Sequence, residues 1–152
     1  MERFASFDGT GIAYTIAGSG PDALLLHGFA ADHHVNWVAP GIVDALVAAG
    51  RRVIAYDARG HGQSDKPHDP AAYENDAMAH DARALLDHLG IERVDLVGYS
   101  MGALVTTRLV PDEPRVFPSL TLTSEDHKAL SGIHGGAYVL VVLLAHRVTR
   151  PS

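Results

Sequence analysis

Cysteine is absent from the 152 residues. That excludes disulfides, thiolate nucleophiles and cysteine metal sites, and it fits a reducing compartment, so a cytoplasmic protein is expected. Long apolar runs are also missing. The longest, Ala137 to Ala145, is nine residues, whereas a helix needs about 20 to cross a bilayer core. The opening Met1-Glu2-Arg3-Phe4 has no apolar segment of the signal-peptide kind. No membrane partner is expected. Positive charge is scarce as well: 12 Lys and Arg face 18 Asp and Glu, for a net charge of −6. A phosphate footprint needs clustered cations, which argues against nucleic acid as a partner. Internal repeats and low-complexity tracts are lacking too.

Two common ligand signatures also fail. Gly18-Ser19-Gly20-Pro21 lacks a third glycine and precedes a strand-like run instead of opening a helix, so no phosphate-binding loop or nucleotide cofactor is expected. The ten histidines include the adjacent His33-His34 and the pair His80 and His88. Neither set has the spacing of a three-ligand metal site. These side chains are expected to be solvated helix residues, with no metal bound.

What remains is a composition of 47% apolar and 20% charged residues, ordinary for a globular chain. A single domain of this length buries roughly two-thirds of its unfolded surface. Residues 3–7 and 11–16 alternate loosely around Asp8-Gly9-Thr10, a hairpin signal. Ala23-Leu24-Leu25-Leu26 reads as a buried strand running into His27-Gly28. Ile42, Val43, Leu46 and Val47 recur at helical spacing ahead of Gly50, a suitable stop. Val53-Ile54-Ala55-Tyr56 is the next strand. From Tyr73 to Leu89, the residues Met78, Ala82, Leu85, Leu86 and Leu89 mark one helix face, with Asp81, Arg83 and Asp87 pointing outward. Val94, Leu96 and Val97 form a further strand, and Ala103, Leu104, Val105, Leu109 and Val110 suit the helix behind it. Strands alternating with helices after an opening hairpin imply an α/β fold, a mostly parallel sheet flanked by helices.

The seam between that last strand and helix is Gly98-Tyr99-Ser100-Met101-Gly102, which fits G-x-S-x-G, the nucleophile elbow. Such a turn strains the serine backbone, and side chains larger than glycine at 98 and 102 would clash with the neighbouring helix and strand. The serine hydroxyl then stands at a helix N-terminus, where N–H groups favour developing negative charge.

Three landmarks therefore close successive strands: His27-Gly28, the run Asp57-Ala58-Arg59-Gly60-His61-Gly62-Gln63-Ser64-Asp65, and the elbow. On these, the chain resembles the α/β-hydrolase fold superfamily over about residues 1–123. The resemblance implies a serine hydrolase for a small ester-like or other carbonyl substrate, with no cofactor. Ser100 would be the nucleophile, and the backbone N–H groups of Met101 and Phe29 the oxyanion hole. His27, Gly28, Phe29 and Tyr99 would border the substrate pocket, with His27 structuring the oxyanion loop. Asp57 and Arg59 would tie the 57–65 loop together locally, with Gly60 and Gly62 at positive φ. Serine at the elbow weighs against the superfamily's dehalogenases and epoxide hydrolases, which use aspartate there.

The pattern breaks after the elbow. The family's acid and histidine follow later strands, yet only fifty residues follow Gly102. Leu120 to Thr123 can make a sixth strand. Candidate acids are Asp112, Glu113, Glu125 and Asp126, of which Asp126 is best placed past that strand. Candidate bases are His127, His134 and His146, with His134 in the glycine-rich Ile133-His134-Gly135-Gly136 preferred. Residues 1–123 thus read as the N-terminal part of an α/β-hydrolase domain that is C-terminally incomplete. Residues 124–152 read as an atypical tail with room for one further strand at 138–144. The rival expectation is a non-catalytic or truncated binding domain of the same fold with little turnover. An open edge at 119–123 or 138–144, without lysine or proline, would favour self-association.

Overall fold

The computed structural model describes residues 1–109, 111 and 113–122, with side chains as far as Arg115. Six strands form one sheet in the order β1-β2-β4-β3-β5-β6. β1 (Glu2–Ala5) and β2 (Gly11–Ala17) are the expected hairpin, antiparallel about the turn at Asp8 to Thr10. Its register is held by the Thr10 N–H, which donates to Asp8 Oδ1 at 3.0 Å. β2 also runs antiparallel to β4 (Arg52–Tyr56), and from there the sheet is parallel: β4 with β3 (Asp22–Leu26), β3 with β5 (Val94–Tyr99), β5 with β6 (Val116–Leu122). The sheet is thus mostly parallel with an antiparallel hairpin at one side, as the sequence pattern implies.

The central strands are short apolar runs because both faces are covered. Leu24, Leu26, Ile54, Tyr56 and Leu96 face one core, with Ala82, Leu85 and Leu86 of α2 (Ala77–His88) and Val105 and Leu109 of α3 (Met101–Leu109). Leu25, Val53, Ala55 and Val97 face the other, with Trp37 and with Ile42 and Leu46 of α1 (Ile42–Ala48). Alternation by one residue along each strand therefore sends the two helix layers to opposite faces.

Three expectations need correction. The helix expected from Tyr73 begins at Ala77: Pro70–Tyr73 is a separate 3-10 turn, capped by the Asp69 carboxylate, which accepts from the Ala71 N–H at 3.0 Å. Asn75 and Asp76 then take φ of 55° and 56°, a left-handed conformation that Asn and Asp tolerate and that no helix continues through. On α2, Met78, Ala82, Leu85, Leu86 and Leu89 do join the core, and Asp87 is exposed. Asp81, expected outward, is instead only 1% exposed. Finally, β6 starts at Val116 and so includes Pro118, beside a register shift that pairs Leu96 with Pro118 and Val97 with Leu120. A proline at a bulge is tolerated on a border strand, and β6 borders the sheet among the described residues. The tail strand expected at 138–144 lies outside those residues, as does Thr123.

Candidate active site

Parallel pairing brings the C-terminal ends of β3, β4 and β5 to one edge of the sheet, so the loops that follow them meet there. Ser100 follows β5 with φ of 51°. A residue with a β-carbon pays for this conformation, and packing holds it in place. A Cβ on Gly98 would lie 2.6 Å from the Gly102 carbonyl oxygen and 2.6 Å from Thr106 Oγ1. One on Gly102 would lie 2.1 Å from the Leu26 carbonyl oxygen. The first glycine lets the strand run against α3, and the second lets α3 dock on β3. Both clashes fall where the motif predicts them. The Ser100 carbonyl accepts from Ala103 and Leu104 N–H at 2.9 and 3.2 Å, closing the first turn of α3.

The loop after β3 lies directly against this elbow. A Cβ on Gly28 would meet the Tyr99 ring at 3.0 Å and Ser100 Cβ at 3.4 Å. Gly28 is fastened by its own N–H, which donates to Asn36 Oδ1 at 2.7 Å. Phe29 projects outward, 76% exposed, and Ala30 takes φ of 55°. Among the described residues, the N–H groups of Phe29 and Met101 meet no acceptor.

His27 is 2% exposed and clamps two loops. Its Nδ1 bonds the Gly28 carbonyl oxygen at 2.7 Å, and its Nε2 bonds the Ala58 N–H at 3.0 Å. A carbonyl only accepts and an N–H only donates, so the ring is the neutral Nδ1–H tautomer. Burial pushes the His27 pKa down, and neighbouring His61 adds to this. The Gly28 carbonyl, Asp57 and Asp32 oppose the shift without reversing it.

Asp57, at the end of β4, accepts from the Gln63 N–H at 2.9 Å and from the His33 N–H and Nδ1 at 2.9 and 2.8 Å. Burial alone would raise its pKa; these hydrogen bonds outweigh it and hold the carboxyl below its usual range. His33 is therefore a buried partner of Asp57 and not a solvated helix residue. Asp57 does tie the loop, since Ser64 Oγ also donates to its carbonyl at 2.5 Å. Gly60 and Gly62 have φ of 81° and 51° as expected.

Arg59 departs from the local role expected of it. Its guanidinium, fully buried, donates to both Asp81 oxygens at 2.6 and 2.7 Å and to Asp8 at 2.9 Å. It thereby joins the β4 loop to α2 and to the hairpin turn. Burial would push the Asp8 carboxyl up, but Arg59 and the Thr10 N–H prevail and lower it to about 2. Glu113 is removed from the acid candidates. It is buried, held by Arg115 at 2.6 and 2.7 Å, and precedes β6 at the edge opposite Ser100. Asp112, Glu125, Asp126, His127, His134 and His146 lie outside the described residues.

Sequence reasoning missed His33, Asp81 and His61 as members of this assembly. The one available signal was Asp81 itself, a carboxylate adjoining Ala82 on the apolar stripe of α2.

Comparison with known proteins agrees with the geometry. The family described as alpha/beta hydrolase fold matches residues 24–134. This chain belongs to that family. It is 42% identical over 112 residues to a fluoroacetate dehalogenase of Burkholderia sp, covering 70% of this chain and 35% of that protein. It is 37% identical over 122 residues to an sn-1-specific diacylglycerol lipase of Mus musculus, covering 78% and 38%. An epoxide hydrolase from Vigna radiata superposes with a TM-score of 0.71 at 29% identity, over 78% of this chain and 36% of that one. These relatives are hydrolases, and the chain spans about a third of the length of the curated relatives it matches.

Proposed function

We propose that this chain carries the nucleophile and oxyanion hole of a serine hydrolase acting on an ester-like carbonyl substrate. One observation supports this most directly: Ser100, strained between two glycines that admit no side chain, adjoins two backbone N–H groups that meet no acceptor among the described residues. In the reaction, Ser100 Oγ attacks the carbonyl carbon while a base takes its proton. The Phe29 and Met101 N–H groups receive the charge that develops on the carbonyl oxygen. Each such donor is worth about 3–4 kcal/mol at the transition state. The hydroxyl at position 100 favours acyl transfer over the reactions named for the dehalogenase and epoxide hydrolase relatives. Within this reading His134 is the proposed base and Asp126 its proposed acid.

A fluorophosphonate probe tests the nucleophile, because it reacts with an activated serine and not with an ordinary hydroxyl. Ser100 should be labelled in the wild type, with no label on Ser100→Ala. A wild type that stays unlabelled would sink the proposal in favour of a non-catalytic domain. For the base, removing the true histidine should lower turnover by roughly a million-fold, and His134→Ala, His127→Ala and His146→Ala identify which one does so.

A further inference from the structure

The loop after β4 contains one side chain that reaches the oxyanion loop without belonging to it. His61 lies at the tip of residues 57–65, with its position fixed from several sides. Its N–H donates to the Ala58 carbonyl at 2.9 Å, its carbonyl accepts from Ser64 at 3.1 Å, and its Nδ1 bonds the Arg59 carbonyl at 3.0 Å. The flanking glycines leave the tip no freedom to swell: a Cβ on Gly60 would lie 2.9 Å from the Tyr73 hydroxyl, and one on Gly62 2.2 Å from Asp57 Oδ2. Arg59, whose carbonyl orients the ring, is anchored by Asp81 and Asp8. His61 is therefore presented by a stiff support.

Its ring meets two rings of the oxyanion loop. The centroids lie 5.2 Å from His27, tilted, and 5.8 Å from Phe29, edge-on at 78°. Among the described residues, His61 is the aromatic contact of Phe29, a side chain otherwise mostly in solvent. The adjoining Ala30 sits at φ of 55°, a conformation that survives only where its surroundings hold it. A loop with an exposed aromatic and a strained neighbour needs a support; Ala58 holds it at His27, and His61 is where the support touches Phe29.

We infer that His61 is a positioning residue whose ring seats Phe29 and, through it, the backbone N–H proposed for the oxyanion hole. The seating of the loop follows from geometry alone; its effect on Ser100 rests on the serine-hydrolase reading above.

Amide hydrogen exchange on the full chain separates these two parts. The informative amides are Gly28 and Ala31, bonded to Asn36 Oδ1 and to the Gly28 carbonyl. They are compared with the β3 and β5 core amides in the wild type, His61→Ala, His61→Gln and His61→Phe. An edge-on aromatic contact is strong enough to change local opening by about two- to tenfold. His61→Ala and His61→Gln should speed exchange at Gly28 and Ala31 by about that factor, with the core amides unchanged. His61→Phe, which restores a ring but not the bond to Arg59, should stay close to the wild type. The seating is overturned by unchanged exchange at these two amides, by a uniform loss across the core, or by a phenylalanine variant that behaves like alanine. Fluorophosphonate labelling of Ser100 is run in parallel. It should slow in the alanine and glutamine variants and recover in phenylalanine. Labelling at the wild-type rate in a variant whose loop has loosened would overturn the link to Ser100. A wild type that is never labelled removes the hydrolase reading, while the exchange result still decides the seat.

Discussion

Asp81→Asn is the most informative perturbation of the scaffold beneath the site. The substitution keeps side-chain volume, so it isolates charge and hydrogen bonding from cavity effects. In the wild type, two Arg59 nitrogens donate to the two Asp81 oxygens at 2.6 and 2.7 Å, and Ser6 Oγ donates to Oδ1 at 2.6 Å. Asparagine keeps one acceptor but turns an NH2 group toward a donor of Arg59. The guanidinium is fully buried and its partner is 1% exposed, so water cannot substitute. Breaking a buried pair by removing one partner costs about 3–5 kcal/mol. Asp8 still contacts the guanidinium, which places this case near the lower end, about 3 kcal/mol. Urea unfolding at pH 7, followed by circular dichroism, reads the loss directly. Asp87→Asn is the internal control on the same helix. Its pair with Arg115 is 65% exposed on the aspartate side, and such pairs are worth at most about 1 kcal/mol. A second comparison is Asp81→Leu with Arg59→Met, which removes both charges and should recover at least half of the loss. Equal stabilities for Asp81→Asn and Asp87→Asn would refute the buried-pair reasoning and return Asp81 to the surface.

Three further outcomes follow from geometry. Gly102→Ala places a methyl carbon 2.1 Å from the Leu26 carbonyl oxygen, a backbone atom that cannot rotate away. Overpacking of this kind costs about 1–3 kcal/mol or more, against about 1 kcal/mol gained from helix propensity, so thermal unfolding should show net destabilisation, and a variant at least as stable as wild type contradicts the packing. His27 has a pKa depressed below its ordinary value of 6.5, so its stabilising contribution is full above that pH and is lost as pH falls through the folded-state value. The stability gap between wild type and His27→Gln should therefore narrow from pH 7 downward, and a constant gap counts against the neutral clamp. For self-association through β6, light scattering at rising concentration is the measurement. Among the described residues β6 borders the sheet, with Pro118 and the adjacent bulge blunting half of that edge, so association through it should be weak and confined to Leu120–Leu122 pairing, and Leu120→Lys should abolish it if the edge is responsible.

How much of this was legible beforehand depended on whether the cause was local. The strands at 23–26 and 53–56 and the elbow are local: short apolar runs ending at glycine or a polar residue, with clashes that the motif itself specifies. The hairpin likewise follows from its Asp-Gly-Thr turn. The start of α2 was not legible, because no glycine or proline interrupts Tyr73 to Asp76, and the run is broken by the extended Glu74 and the left-handed Asn75 and Asp76. Pro118 inside β6 was obscured by the general rule against proline in strands, which a bulge suspends. Asp81 and Arg59 are 22 residues apart, and His61 is more than thirty from Phe29. Such partners become visible only once the sheet has set which loops share an edge.

The strand order has a temporal consequence. β3 lies between β4 and β5, so the loop at 27–31 gains its second wall only when Val94–Tyr99 has paired alongside Asp22–Leu26. Those segments are separated by some seventy residues, and closing so wide a span is the slow part of building a parallel sheet. The hairpin and the β3–β4 pair can form earlier, with His27 already bonded to Ala58, while Gly28 still faces water where Tyr99 will later pack. The docking of Gly102 on the Leu26 carbonyl then joins helix, strand and loop in one event. During refolding, protection of the Gly28 amide should rise in step with the β3–β5 ladder and lag the hairpin.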